Sequence, residues 1–259
     1  MKGLLSVSFG TSYADTRAKT IDAIDAKLSA AFPDRAFYSA WTSPRIMAKV
    51  LAERGEHHDS LDEAFARMEA DGVDDLVVAT MCLMQGGEMR KISEAAHAWA
   101  AQGGRTVRLA DPLLSAPADH AAMAQALADE FAHVPATEAV VFMGHGSAMG
   151  PNQLYSDVQD ALHAIGKRNF FVATVEGTPT LDDAMLKLES LGADRVWLAP
   201  LMIVAGDHAR NDLAGDGEES WTNRLAVCGF ETEVVLKGLG EYTAVQNLAV
   251  DHARDAKEI

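Results

Sequence analysis

Short apolar runs alternate along this chain with longer stretches whose apolar residues recur at helical spacing. The spacing predicts strands over residues 3–8, 36–41, 75–81 and 106–110, with helices over 14–32, 46–51 and 61–70, one that follows the segment 83–90 and runs through Trp99, and one over 119–132. The order then begins again. Strands are predicted over 139–143, 170–175, 195–201 and 233–236, with helices over 153–165, 181–191 and 241–254. Residues 204–212 form a loop that leads into a helix start, and a glycine- and acid-rich loop follows. Val140–Met143 lacks polar alternation, as a parallel strand covered on both faces does. The expectation is an α/β protein of two similar doubly wound parallel-sheet domains, residues 1–134 and 135–259, with an active-site cleft between them. The last helix is expected to be able to pack back on the first domain.

The halves also match residue by residue. Asp71-Gly-Val-Asp-Asp-Leu-Val-Val-Ala-Thr aligns on Leu191-Gly-Ala-Asp-Arg-Val-Trp-Leu-Ala-Pro at an offset of 120 residues. Continued without gaps, this sets Gly86 on Gly206, Glu88 on His208 and Arg90 on Arg210. Phe9-Gly10-Thr11-Ser12 falls on His145-Gly146-Ser147-Ala148, and Thr42-Ser43-Pro44 on Gly177-Thr178-Pro179, which puts Trp41 opposite Glu176. An internal duplication is the most economical reading.

Three strand ends of the second half therefore carry His145, Glu176 and His208, where the first half carries Phe9, Trp41 and Glu88. Strand ends of a doubly wound sheet converge on the ligand crevice. Two imidazoles and a carboxylate there suit a first-row divalent ion, and two aromatic residues suit a flat apolar ligand. Each residue has a plainer reading. His145 could be a turn histidine, Glu176 a solvated acid, and Asp207-His208 or Glu88 the first turn of a helix. Those readings leave unexplained why three potential ligands occupy equivalent positions. His57 and His58 lie in a polar loop beside Asp59 and read as solvated rather than as a metal tract.

Composition narrows the function. A formal charge of −16 argues against nucleic acid and anionic membrane surfaces as partners. The two cysteines form no CxxC or CxxCH pattern, and neither GxGxxG nor GxxxxGK[ST] occurs. No apolar run reaches the ~20 residues of a bilayer span. With no leader-like segment at the N-terminus, a cytoplasmic location is expected. Oligomeric state is not readable, although apolar helix faces are compatible with a homo-oligomer.

The strings Val7-Ser-Phe-Gly-Thr-Ser12, Val140-Val-Phe-Met-Gly-His-Gly146, Pro200-Leu-Met-Ile-Val-Ala-Gly-Asp-His208 with Asn211-Asp212, and Gly238-Leu-Gly-Glu241 resemble the class II chelatases of tetrapyrrole synthesis. Within that family the chain is most similar to the anaerobic, cobalt-inserting sirohydrochlorin branch. The resemblance implies insertion of Co²⁺ into sirohydrochlorin with release of two protons and no ATP, on the way to cobalamin. It implies no cofactor beyond the substrate ion, for which Fe²⁺ and Ni²⁺ are alternatives. It makes His145 a ligand and proton acceptor, Glu176 and His208 the remaining ligands, and Glu88 a further catalytic residue. Proton acceptance stays undivided among His145, His208 and Glu88. Substrate contacts are expected from Ser8, Phe9, Gly10, Thr11, Ser12, Trp41, Gly146 and Ser147. Arg45, Arg90, Lys91 and Arg210 are expected to offset the repulsion between an acidic protein and a substrate rich in carboxylates. One departure is Gly86-Gly87-Glu88, where the family pattern has Gly-Asp-Glu. Insertion of Fe²⁺ for sirohaem, a non-catalytic metal or tetrapyrrole carrier, and a two-lobed periplasmic-type binding protein are the competing readings; the missing signal peptide disfavours the last.

Overall fold

The computed structural model describes residues 1–147 and 152–259. Its chain divides into two compact units, Met1–Ser115 with Val245–Ile259, and Ala116–Ala244. Both are α/β, and each is built on a mainly parallel sheet.

The first unit contains β1 (Lys2–Ser8), α1 (Ala14–Lys19), α2 (Ile21–Ala31), β2 (Ala36–Trp41), α3 (Pro44–Arg54), α4 (Leu61–Ala70), β3 (Asp75–Thr80), α5 (Gly87–Ala100) and β4 (Thr106–Leu109). Its sheet order is β2-β1-β3-β4, closed at the edge by the antiparallel β9 (Lys257–Glu258). Successive strand residues face opposite sides. Leu5 and Val7 of β1 accordingly join Phe65 and Met68 of α4 and Met89 and Ile92 of α5 in one core. From α2, Ile24 and Leu28 are fully buried.

The predicted single helix over 14–32 is two. At Thr20 the backbone leaves helical geometry (φ −118°, ψ −81°), and the Thr20 hydroxyl donates to the Thr16 carbonyl at 2.6 Å. A hydroxyl that satisfies a carbonyl locally competes with the helix ladder.

The second unit holds α6 (Pro117–Glu130), β5 (Ala139–Gly144), α7 (Gln153–Ala164), β6 (Phe170–Thr174), α8 (Leu181–Leu191), β7 (Arg195–Pro200), α9 (Trp221–Val227) and β8 (Glu231–Val234). Its sheet order, β6-β5-β7-β8, repeats that of β2-β1-β3-β4. All six residues of β5 are buried, as its unbroken apolar run requires. One face of this sheet packs Val141, Met143 and Leu198 on Leu181 and Leu188 of α8 and on Trp221 and Leu225 of α9. On the other, Phe131, which caps α6, meets Phe142 and Phe170 edge-on at 5.4 and 6.3 Å. This aromatic anchor explains why α6 clusters with the second unit, although the sequence reading put residues up to 134 in the first.

The last helix, α10 (Thr243–Arg254), and β9 lie almost wholly in the first unit. Lys257 pairs with Asp111 at 2.6 Å, and the Ile259 amide donates to Val107 at 3.0 Å. No helix among the described residues is long and apolar enough to cross a membrane.

Candidate active site

In a 2-1-3-4 sheet the chain leaves the central pair of strands in opposite directions, and the gap between their C-terminal ends is where ligands bind. In the second unit that pair is β5 and β7. His145 directly follows β5, and His208 stands at the end of the loop that follows β7. Their imidazoles meet edge-to-face, with ring centroids 4.6 Å apart and planes at 89°.

The backbone around His145 is tightly constrained. Gly146 has φ +76°, and a Cβ there would lie 2.4 Å from the Glu176 carbonyl oxygen. Only glycine fits both conditions. A Cβ on Gly144 would enter the Tyr155 ring of α7 at 2.1 Å. The Gly146 amide donates to the Tyr155 hydroxyl at 2.9 Å, and burial pushes that phenol above its ordinary range. The Asn152 side chain then braces Ser147, accepting from its amide at 2.9 Å and donating to its carbonyl at 2.8 Å. Ala148, paired with Ser12 in the duplication, lies outside the described residues.

Hydrogen bonding selects one nitrogen on each ring. His145 Nδ1 lies 2.9 Å from the Gly146 carbonyl oxygen, and His208 Nδ1 lies 2.5 Å from Asp212 Oδ2. A carbonyl and an ionised carboxylate only accept, so both Nδ1 atoms carry hydrogen. The neutral tautomer then leaves the lone pair on Nε2 of both rings.

Glu176 is tied to the pair through its backbone, its amide donating to the His145 carbonyl at 2.8 Å, while its side chain is exposed. The donor atoms of His145, Glu176 and His208 do not all fall within 4.8 Å of one another. Among the described residues that spacing is met by His57, Asp59 and Glu63. Those carboxylates are already engaged. Asp59 accepts from Arg67 at 2.7 Å, and Glu63 accepts from the Ser60 amide and hydroxyl at 2.8 and 2.9 Å in a capping box.

In the first unit the equivalent loop is built alike, with Gly10 at φ +89°. Phe9 is 54% exposed, whereas Trp41 is 3% exposed. One face of Trp41 stacks on His58 at 3.6 Å, and its ring lies where a Gly10 Cβ would stand. Trp41 is thus a packing residue of its own unit, not a free aromatic surface. Ser8 and Thr11 are buried, and the Ser12 carbonyl accepts from Arg54 at 2.8 Å. Glu88 begins α5; its Oε1 pairs with Lys91 at 2.7 Å, and its Oε2 is buried without a hydrogen bond. Arg45 and Arg90 are exposed, and Arg210 is partly buried. Sequence reasoning did not single out Tyr155 or Asn152. Their sole signal is a tyrosine and an asparagine within ten residues of a Gly-His-Gly string.

The structure thus has two units of matching sheet order, the second carrying a pair of facing imidazoles at its strand ends. SirB from Bacillus subtilis, solved with Fe³⁺, has the same fold: TM-score 0.69 at 13% identity, covering 98% of this chain and 95% of that one. The Cobalt chelatase (CbiK) family matches residues 2–258, and the chain belongs to that family. It is 36% identical to the sirohydrochlorin cobaltochelatase of Salmonella typhimurium over 257 residues, covering 98% of this chain and 96% of that protein. It is 32% identical to the sirohydrochlorin cobaltochelatase CbiKC of Nitratidesulfovibrio vulgaris, covering 97% and 89%.

Proposed function

We propose that this chain is a sirohydrochlorin cobaltochelatase that inserts Co²⁺ into sirohydrochlorin, releases two protons and consumes no ATP. Family membership and the two nearly full-length relatives support the substrate and the metal. The observation that carries the chemistry is the His145–His208 pair, with both Nδ1–H groups engaged and both Nε2 lone pairs available.

Insertion requires an ion held by ligands it can later exchange for pyrrole nitrogens, and acceptors for two N–H protons. Neutral imidazoles suit both tasks, because imidazole binds first-row ions and has an ordinary pKa of about 6.5. In this reading His145 and His208 bind Co²⁺, and the exposed Glu176 carboxylate turns to complete the site. Glu88 is a further proton acceptor: its buried Oε2 makes no other hydrogen bond. Phe9 supplies exposed aromatic surface to the macrocycle. Ser12 and Ser147, the partly accessible residues of the two glycine-containing loops, contact it, and Arg90 and Arg210 meet its carboxylates. Ligands of this type also accept Fe²⁺ and Ni²⁺.

The test is the yield from purified protein given excess sirohydrochlorin and Co²⁺, followed by absorbance. Product well beyond one equivalent per chain is expected. A reaction that stops at one equivalent would make the protein a carrier.

A further inference from the structure

We infer that Asp212 is a positioning residue for the metal site: it holds His208 in the orientation and tautomer that present Nε2 to the ion. The inference rests on the proposed role of His208 as a ligand and extends it to a residue that need not touch metal or substrate.

Three observations carry it. His208 Nδ1 lies within hydrogen-bond distance of Asp212 Oδ2, a carboxylate oxygen that accepts from it. The contact uses the nitrogen that would otherwise compete with Nε2 for the ion, so a ring held this way has one ligating atom. The pair also spans an irregular turn. Residues Ala209–Leu213 wind as a π-turn, entered from helical geometry at His208 (φ −60°, ψ −41°). Such turns are rare and frequent at functional sites. This one is secured by the Arg210 amide donating to Gly206 at 3.0 Å and the Gly215 amide to Asn211 at 3.1 Å.

Stability does not account for the pair. The two side chains are 37% and 43% exposed. A hydrogen-bonded imidazole–carboxylate pair so exposed contributes little to stability. A carboxylate behind a ligating imidazole, by contrast, changes metal affinity by roughly 10–100-fold.

The experiment measures Co²⁺ binding calorimetrically on the full chain without tetrapyrrole, in a cycle of wild type, Asp212→Ala, His208→Ala and the double variant, with Asp212→Asn as the conservative change. Asp212→Ala is expected to weaken Co²⁺ binding about 10–100-fold and to alter the visible Co²⁺ spectrum, with unchanged thermal unfolding. In the His208→Ala background it should cost nothing further, because the ring it holds is gone. Asp212→Asn, whose amide oxygen still accepts from Nδ1–H, should recover most of the affinity. Undiminished affinity in Asp212→Ala, or losses that multiply in the double variant, would overturn the positioning role alone. Unchanged Co²⁺ affinity in His208→Ala would overturn it together with the ligand assignment beneath it.

Discussion

The Tyr155 hydroxyl accepts the Gly146 amide hydrogen at 2.9 Å, so a side chain of α7 holds the backbone that carries His145. Without it a buried N–H would have no partner, a loss of about 1–3 kcal/mol. Tyr155→Phe keeps the ring on which Gly144 packs and removes only the acceptor. It is expected to lower stability by ~1–2 kcal/mol and kcat by roughly tenfold through misplacement of His145. Denaturant unfolding beside a steady-state assay checks both. A loss of stability with kcat intact would detach Tyr155 from the site.

Gly146→Ala asks more of the same loop. Alanine would have to adopt φ +76° with its Cβ 2.4 Å from the Glu176 carbonyl oxygen. The left-handed conformation costs about 1–2 kcal/mol and the overlap about 1–3. A loss of ~2–5 kcal/mol in urea unfolding is expected, with insertion largely abolished. Wild-type stability in this variant would mean that the loop has another conformation available.

Asp25 on α2 sets a pH dependence remote from the chemistry. Burial, with the Asp22 charge adding to it, pushes its carboxyl up to about 7. The unfolded carboxyl ionises near 4, so between about pH 4 and 7 the folded chain binds the extra proton. Stability from this group therefore falls as pH rises through that window and stays low above it. Asp25→Asn should stabilise the protein by ~1–3 kcal/mol at pH 8 and change little at pH 4. Equal effects at the two pH values, read from urea midpoints, would refute the assignment.

What was legible in the sequence follows from what each element depends on. The central strand of the second unit read directly, since Val140–Met143 has no polar alternation, and the internal match between the halves anticipated two similar units, whose sheet orders agree. The short α9 did not. It is seven residues behind an acidic loop, and it forms because Ser220 caps it and because Trp221 and Leu225 bury against the sheet. Nor did β9, a two-residue strand made only by distant pairing with β4. In the site, the two histidines stood out as strand-end residues. Trp41 read as a ligand platform because an aromatic side chain at a strand end looks alike whether buried or exposed; His58 covers it by a tertiary contact. Asp212 was visible as part of a motif, but its bond to His208 depends on a turn with no pattern of its own.

The most direct measurement is the initial rate of Co²⁺ insertion into sirohydrochlorin by His145→Ala and His208→Ala. His145 is exposed and His208 half-exposed, so neither substitution should disturb the fold. The account predicts at least a ~100-fold loss in each, with unchanged thermal unfolding. A near-normal rate in either variant would contradict it.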